Sequence, residues 1–434
     1  MSIGVFLAAF FGLLVLAVPI GVVFAFSSIL PRMVNPKFSF TAEASIRSMV
    51  SALDSYPMMA IPLFMLAGVI MAKGGISEKL FSFFGYFMGN KTAGFPCAVI
   101  MTCLFYGAIS GSGSATTAAV GSMAIPFLVG MGYNPVFSTA LVAVAGGLGV
   151  IIPPSIPFIL YSGATNTSTS SLFIGGVLPG VLIGVCLMGY AYYYCKKHGE
   201  DTHKLQANYA QLRANGFLPV LKESIWALLA PVIVLGSIYG GVASPTEAAA
   251  ISIYYALFTS ICIYKTLRIR DIPNMLKEGV NTYAAILFIL CAAIALGRVM
   301  SLLKVSGVLS EGILSFADSK LAVLLLFNVI LIVAGMIMDT PPCILILAPI
   351  MMPVAVKVGI DPVHFGIIMV INLAVGFVTP PMGLNLFVAS NMTKIPILTI
   401  ARKSLPFMGA FGIALVLINF FPDITLFLVR LAAR

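Results

Sequence analysis

The stretch of sequence that decides the fold begins with Ser110-Gly111-Ser112-Gly113-Ser114. It ends with Gly149-Val150-Ile151-Ile152-Pro153-Pro154. Both segments interrupt apolar sequence, and from Thr92 to Cys195 the chain has no Asp, Glu, Lys or Arg. Backbone groups without hydrogen bonds cost several kcal/mol each inside a bilayer, so breaks of this kind need a reason. We therefore expect the two breaks to be functional.

The composition indicates a polytopic membrane protein. Of the 434 residues, 60% are hydrophobic and 9% are charged, whereas a soluble domain is about 25% charged. The net charge of +10 does not indicate nucleic acid, because nine of the 24 Lys/Arg lie in Lys196 to Lys222 and Lys265 to Lys277, which we place in the cytoplasm. The seven cysteines are scattered without a CxxC pair, so neither disulfides nor a metal site is indicated.

Apolar blocks predict the membrane spans. They are Ile3 to Leu30, Pro57 to Met71, Pro135 to Leu160, Leu172 to Tyr194, Ile225 to Gly241, Glu247 to Tyr264, Tyr283 to Arg298, His364 to Val388 and Leu405 to Val429. Two further blocks, Cys97 to Met131 and Leu321 to Val356, are broken in the middle and predict re-entrant hairpins. Mixed segments between the blocks predict amphipathic arms at the interface. These are Lys37 to Tyr56, Lys73 to Phe84, Leu267 to Tyr283 and Lys304 to Lys320.

An internal repeat relates the two hairpins. One offset of 227 residues maps Gly149 on Gly376 and Pro153-Pro154 on Pro380-Pro381, and it places the tip of the first hairpin on Asp339-Thr340-Pro341-Pro342. Five predicted spans separate the hairpins, and an odd number inverts the second copy relative to the first. The first hairpin and the N-terminus are then cytoplasmic, and the second hairpin opens to the periplasm. Arg32, Lys37 and Arg47 would fall outside, against the charge rule.

Each repeat predicts a cation site where a hairpin tip meets a Gly-to-Pro-Pro break, because freed carbonyls and hydroxyls suit Na⁺. The first site would comprise Ser110, Ser112, Gly113, Gly149, Ile152 and Pro153. The second would comprise Gly335, Asp339, Thr340, Gly376, Thr379, Pro380 and Met382. Asp339 is the only carboxylate between Leu321 and Ile360, and it is either functional, an N-cap, or both. The alternative is that the prolines only kink a helix and the Gly/Ser residues only allow close packing.

Polar residues near the breaks are candidates for substrate binding. They are Ser114, Ser162, Thr165, Asn166, Arg298 and Asn385. Arg298 either snorkels to the interface or binds an anion. The chain has no GxxxxGK[ST] loop and its three histidines form no catalytic constellation, so we expect no enzyme and no cofactor, with Na⁺ as the coupling ion.

Four motifs carry a resemblance to a known family. The motifs are Ser110-Gly-Ser-Gly-Ser-Ala-Thr-Thr-Ala-Ala, Ile152-Pro-Pro-Ser-Ile-Pro, Ser244-Pro-Thr-Glu-Ala-Ala-Ala and Thr379-Pro-Pro-Met-Gly-Leu-Asn. With them the chain resembles the large membrane (M) subunit of tripartite ATP-independent periplasmic (TRAP) transporters. The resemblance covers essentially the whole chain. It implies Na⁺-driven uptake of a small organic acid, across the bacterial inner membrane, by an elevator mechanism. It also implies two partners, a periplasmic substrate-binding (P) protein and a small membrane (Q) subunit.

The resemblance also bears on the substrate, and three alternatives to it stay open. Overall similarity, with no physical argument behind it, favours sialic acid (N-acetylneuraminate) over C4-dicarboxylates. A stand-alone Na⁺/organic anion symporter, an ion channel on the same repeat and a membrane scaffold without transport remain alternatives.

The resemblance and the repeat together predict an all-α inverted-repeat transporter in five parts. Residues 1–94 form the scaffold helices and arm of repeat 1, residues 95–194 the transport part of repeat 1 with hairpin 1, residues 195–224 a cytoplasmic linker, residues 225–320 the scaffold helices and arm of repeat 2, and residues 321–434 the transport part of repeat 2 with hairpin 2.

Overall fold

The computed structural model describes residues 3–16, 18–214, 216–316, 319–381 and 383–432, and every regular element in these ranges is helical. The helices are α1 Ile3–Val15, α2 Ile20–Val34, α3 Ala42–Leu53, α4 Tyr56–Lys73, α5 Ile76–Met88, α6 Gly94–Ser110, α7 Gly113–Gly130, α8 Pro135–Gly146, α9 Ile156–Thr165, α10 Thr169–His198, α11 Thr202–Ala214, α12 Phe217–Tyr239, α13 Pro245–Phe258, α14 Ile272–Leu302, α15 Val305–Phe316, α16 Lys320–Ile337, α17 Thr340–Lys357, α18 Pro362–Gly376, α19 Leu384–Thr393, α20 Ile397–Phe420 and α21 Asp423–Ala432. Within the described ranges, eight helices are long and apolar enough to cross a membrane, or nine spans if the bent pair α3–α4 counts as one.

The helix boundaries confirm the repeat. Shifting α7 by 227 residues gives 340–357, the bounds of α17, and shifting α6 gives 321–337, which differs from α16 by one residue. The two Pro-Pro bonds, Pro153-Pro154 and Pro380-Pro381, are both cis. The two breaks therefore match in local geometry as well as in sequence.

Hairpin 1, formed by α6 and α7, begins and ends beside one residue of the predicted linker. The Glu200 carboxylate accepts hydrogen bonds from the Ala93 backbone N–H, at 3.0 and 3.1 Å, and from the Tyr133 hydroxyl. Burial and the neighbouring Glu200 raise the pKa of the Tyr133 phenol, so it stays protonated and able to donate. Because Ala93 precedes α6 and Tyr133 follows α7, the hairpin enters and leaves on the same side, as predicted.

Four helices between the two hairpins, α10, α12, α13 and α14, are long and apolar enough to cross a membrane. The predicted span Pro135 to Leu160 instead consists of two shorter helices, α8 and α9. The predicted inversion counts α8 and α9 together as one broken crossing, which makes five. Which side is cytoplasmic stays a prediction.

The two predicted transport parts pack into each other. α7 and α8 contact α19, α9 contacts α17, and α10 contacts α18 and α20. The Tyr161 hydroxyl donates to the Pro362 carbonyl at 2.9 Å, and the Asn385 amide donates to the Ala143 carbonyl at 2.9 Å. Outside them, α14 packs against α2, α3 and α4, and α13 packs against α4. The five-part division itself stays a prediction.

Prolines split two blocks that were predicted to be continuous. Ile3 to Leu30 is not one span, because α1 ends at Val15 and α2 begins after Pro19, whose ψ of 131° is not helical. Leu405 to Val429 is divided at Pro422 into α20 and α21. In both places the proline removes a backbone N–H that a continuous helix would need.

The predicted arm from Leu267 to Tyr283 is wrong as a separate element. α14 continues without a break from Ile272 to Leu302, whereas the corresponding α3 and α4 meet at an angle of 51°. Pro57 explains the difference, because proline has no N–H to bond the carbonyl of Leu53, where α3 ends, and its ring would clash with that carbonyl in a continuous helix. The position equivalent to Pro57 is Ala284, which imposes no such break.

Candidate functional site

The two hairpin tips line one cavity of about 590 Å³. Hairpin 1 contributes Ser110 to Ala115, and hairpin 2 contributes Asp339, Thr340 and Pro341. The broken helices contribute Val150, Ile156, Pro157 and Phe377, and the opposite wall includes Lys73 of α4 and Glu278 of α14. Residues that lie 227 positions apart in sequence thus face the same space.

The tip of hairpin 1 is shaped by its glycine and serine residues. Gly111 ends α6 with φ of 60°, a conformation that glycine adopts without strain. Ser112 then caps α7 by accepting a hydrogen bond from the Ala115 N–H. A methyl group on Gly111 would lie 2.9 Å from the Pro154 carbonyl oxygen, so the tip is seated directly on the first Pro-Pro break.

Three oxygens gather at this tip beside Gly149. The Thr116 hydroxyl lies 2.9 Å from the Ser110 hydroxyl and donates to the Ser112 carbonyl at 2.8 Å. A methyl group on Gly149 would lie 2.4 Å from Thr116 Oγ1 and 2.7 Å from the Ser112 oxygen. We call Ser110, Ser112 and Thr116 the first oxygen cluster. Hydroxyls and a carbonyl are oxygen donors that suit a hard cation.

The structure brings together most of the first predicted set. Ser110, Ser112 and Gly113 line the cavity, and Gly149 lies behind them. Ile152 and Pro153 are buried, and the Ile152 side chain packs against Gly180 of α10 rather than at the tip. Thr116 was missed by sequence reasoning, although its place one helical turn after the capping serine was a signal for a side chain facing the tip.

The tip of hairpin 2 uses a carboxylate where hairpin 1 uses a serine. Asp339 Oδ1 accepts the Thr340 N–H at 2.7 Å and caps α17, and the Asp339 side chain is exposed and lines the cavity. The Thr340 hydroxyl is buried, and within the described part of the chain it has no hydrogen-bond partner. An unpaired buried hydroxyl is costly, so this oxygen is suited to a ligand.

The second break touches hairpin 2 through two glycines. A methyl group on Gly376 would lie 2.5 to 2.7 Å from backbone atoms of Gly335, so the two helices meet backbone to backbone. The Thr379 hydroxyl donates to the Val375 carbonyl at 2.8 Å, and Pro380 begins the cis bond. Met382 of the predicted set lies outside the described residues.

The Phe377 ring of the second repeat contacts the tip of hairpin 1. A methyl group on Gly113 would lie 2.9 Å from Cε2 of Phe377, which directly follows Gly376 and lines the cavity. The tip of hairpin 1 therefore contacts the break of repeat 2.

Of the six substrate candidates, Ser114 lines the cavity. Ser162 donates to the Thr167 carbonyl at 2.6 Å, Thr165 donates to the Tyr161 carbonyl at 2.7 Å, and Asn166 ends α9 with φ of 58°. These three residues shape the turn between α9 and α10 and are not among the cavity-lining residues.

Asn385 and Arg298 also lie outside the cavity lining. Asn385 is fully buried and bonds to Ala143, while its side-chain oxygen has no partner among the described residues. Arg298 donates to the Ser48 hydroxyl at 2.9 Å in a separate cleft of about 360 Å³. Their predicted contact with substrate remains without support from this geometry.

Comparisons with known proteins agree with one another. The family model described as "Tripartite ATP-independent periplasmic transporter, DctM component" matches residues 7–424. The isethionate TRAP transporter permease protein DctMQ of Oleidesulfovibrio alaskensis is 42% identical over 87% of this chain, which spans 59% of that longer relative. The C4-dicarboxylate TRAP transporter large permease protein DctM of Pseudomonas aeruginosa is 37% identical, with 88% of this chain and 89% of the relative covered. The sialic acid TRAP transporter large permease protein SiaM of Vibrio cholerae is 34% identical, with 97% and 96% covered.

A solved structure supports the fold. The YdaH transporter of Alcanivorax borkumensis superposes with a TM-score of 0.58 and 15% identity, covering 92% of this chain and 97% of that chain. The described residues include eight candidate spans, and together with the family match they make the chain a multi-pass protein of the bacterial inner membrane. The four motifs, the paired hairpins and the family match over residues 7–424 establish that the chain belongs to the DctM family, the large permease component of TRAP transporters.

Proposed function

We propose that this chain is the permease subunit for Na⁺-coupled uptake of a small organic anion. The observation that carries the proposal is the convergence of both hairpin tips and both broken helices on one cavity. The proposed cargo and coupling ions would meet in this cavity. Each Na⁺ that moves inward gains about 2.3 kcal/mol per 100 mV of membrane potential.

The oxygen donors support the cation part of the proposal. Ser110, Ser112 and Thr116 form the first oxygen cluster, and Asp339 with the unpartnered Thr340 hydroxyl forms the second set. All are hard ligands, which suit an alkali cation better than a transition metal. Na⁺ is cargo in this proposal, moved together with the organic anion.

The helix ends support the anion part. α7, α9 and α17 begin at the cavity, where Gly113, Ile156 and Thr340 are lining residues. The N-terminal end of each helix carries partial positive charge from the helix dipole, which favours a carboxylate or sulfonate. At α9 and α17 the dipole alone acts in this way, because the N–H groups of Ile156 and Thr340 are already bonded to Gly111 and Asp339. The relatives are named for isethionate, C4-dicarboxylates and sialic acid, which are all organic acids. The class of substrate is therefore a small organic anion, and sialic acid stays a prediction within it.

An elevator movement would carry this cavity across the membrane. The interlocked helices of residues 95–194 and 321–434 would move against the scaffold formed around α4 and α14. The two transport parts interlock, since α7 and α8 contact α19 and α9 contacts α17, and this supports their movement as one body. A small membrane subunit would complete the scaffold, and a periplasmic binding protein would deliver the anion.

Reconstitution tests the proposal. The chain is purified with its small membrane subunit, placed in proteoliposomes, and given isethionate, succinate or N-acetylneuraminate together with the cognate binding protein. We expect uptake of one of these anions that requires both an inward Na⁺ gradient and the binding protein. Uptake without Na⁺ would refute the coupling, uptake without the binding protein would favour the stand-alone symporter, and no uptake of any of the three would refute the proposed function.

A further inference from the structure

An ion pair closes one wall of the cavity. Lys73 at the end of α4 bonds to Glu278 of α14 across 205 residues of sequence, and both side chains line the cavity. The side chains are 42% and 51% exposed, so the pair is accessible to solvent. Among the described lining residues, Lys73 is the one basic residue, and it stands with two acids, Glu278 and Asp339.

The ion pair lies on the side of the molecule that carries the linker. Lys79, just after α4, bonds to Glu223 near the start of α12 at 2.6 Å, and the Ser224 hydroxyl donates to the Lys79 carbonyl at 2.9 Å. The Thr266 hydroxyl donates to the carbonyl of Gly74, the residue after Lys73, at 3.0 Å. Lys73 therefore stands at the solvent-exposed mouth of the cavity, on the side of residues 195–224.

We propose that Lys73 binds the carboxylate or sulfonate of the transported anion at this mouth, and that Glu278 is the group that the anion displaces. The proposal rests on the proposed function and adds a specificity-determining residue to it. In this exchange the Lys73 ammonium group changes its partner from the Glu278 carboxylate to the carboxylate or sulfonate of the anion. An exposed Lys–Glu pair is weak, so an anion held also by the helix N-termini can compete with Glu278.

The same pair then favours release on the linker side. When Glu278 returns to Lys73, the anion loses its one basic contact in the described cavity wall. Because α4 and α14 belong to the predicted scaffold, this contact is available only while the transport part faces the linker. Glu278 is in this way a built-in competitor that lowers anion affinity where the cargo must leave.

Two substitutions separate this role from a purely structural one, because they break the same ion pair with opposite expected effects. Lys73→Gln removes the anion's partner and should weaken anion binding by about two- to five-fold, the range expected for an ion pair at an exposed ammonium group. Glu278→Gln removes the competitor and should tighten binding by about two- to five-fold, the range expected for an exposed ion pair. A structural tie would instead make both variants weaker.

The measurement is equilibrium binding of the radiolabelled anion to the purified two-subunit membrane complex at saturating NaCl. The probe is whichever of isethionate, succinate and N-acetylneuraminate the wild-type complex transports. Lys79→Gln is the matched control, since it breaks a Lys–Glu pair of the same region whose residues do not line the cavity. Lys73→Arg should retain most of the affinity.

Equal weakening by Lys73→Gln and Glu278→Gln, or unchanged binding in both, would overturn the inference. If Lys73→Gln fails to assemble, Glu278→Gln decides alone, since tighter binding supports the inference and weaker or unchanged binding overturns it. Failure of the wild-type complex to transport any of the three anions is a different result, and it refutes the proposed function before any variant is compared.

Discussion

A methyl group on Gly149 is the smallest change that should disturb the first oxygen cluster. In Gly149→Ala the added carbon would lie 2.7 Å from the Ser112 carbonyl oxygen and 2.4 Å from Thr116 Oγ1. Ordinary contact begins at 3.4 Å, so the Ser112 oxygen must move by about 0.7 Å. That oxygen belongs to the backbone, and the Thr116 hydroxyl is held by hydrogen bonds of 2.8 and 2.9 Å, so neither can give way freely.

The expected cost follows from these contacts. Overpacking of a close-packed site costs about 1–3 kcal/mol, and a lost hydrogen bond of Thr116 adds about 1 kcal/mol. If about 1.4 kcal/mol of this cost destabilises the cation-bound state relative to the cation-free state, the Na⁺ concentration for half-maximal uptake rises about ten-fold. The site would still be present, with its oxygens displaced.

The assay is the Na⁺ dependence of anion uptake in proteoliposomes. Gly412→Ala is the matched control, because a methyl group there would meet nothing within 4 Å and the residue lies in α20, away from the cavity lining. Wild-type Na⁺ dependence in an assembled, active Gly149→Ala complex would show that Ser112 and Thr116 do not hold the cation.

Three further predictions test other parts of the site. Asp339→Asn keeps a capping side chain, so the melting temperature should change little while the half-saturating Na⁺ concentration rises at least ten-fold; Asp339→Ala should in addition lower stability by about 1 kcal/mol, as measured by thermal unfolding. Gly376→Ala should reduce assembly or uptake more than Gly412→Ala, because its methyl group meets the Gly335 backbone at 2.5 to 2.7 Å and neither chain can rotate away; equal uptake by the two variants would contradict this contact. The third prediction concerns topology and uses a variant that lacks the exposed Cys262. Cysteines placed at Lys91 and Gly132 should react with an impermeant thiol reagent from one side of the membrane, and cysteines placed at Ser319 and Gly359 should react from the other side. Labelling of all four from the same side would contradict the inversion.

The tips of the hairpins could be predicted from sequence because their signals are local. A Ser/Gly cluster and an Asp-Thr-Pro-Pro segment each stop a helix and start the next one through capping and proline. The first tip falls at Gly111–Ser112, inside the predicted Ser/Gly cluster. The second falls at Met338–Asp339, so of the predicted Asp339-Thr340-Pro341-Pro342 only Asp339 lies in the tip, and the other three residues begin α17. The bend before α4 had an equally local cause in Pro57, which cannot continue a helix from Leu53, and the straight α14 could have been predicted from the alanine at the equivalent position.

The composition of the site could not be predicted in the same way, because it depends on which helices meet. Thr116 and Phe377 are ordinary helix residues in sequence, and they matter because Gly149 and Gly113 allow close approach. Conversely, Ser162 and Thr165 look available in sequence, yet in the fold each donates to a nearby carbonyl. Polar residues next to a helix end are often satisfied locally, and only the folded chain shows which of them face a cavity.

The charges around the cavity give a physical reason for coupling anion to cation. Counted by formal charge, the described lining residues Asp339, Glu278 and Lys73 give the cavity one excess negative charge. An organic anion entering this space alone would be repelled, and displacing Glu278 from Lys73 would leave a second carboxylate without that partner. A cation at Asp339 removes the excess charge, and a cation at the first oxygen cluster offsets the displaced Glu278. We infer that Na⁺ raises the affinity for the anion, and by thermodynamic linkage the anion must then raise the affinity for Na⁺ by the same factor. Anion affinity that is independent of Na⁺ in the wild-type complex would show that these charges do not perform the coupling.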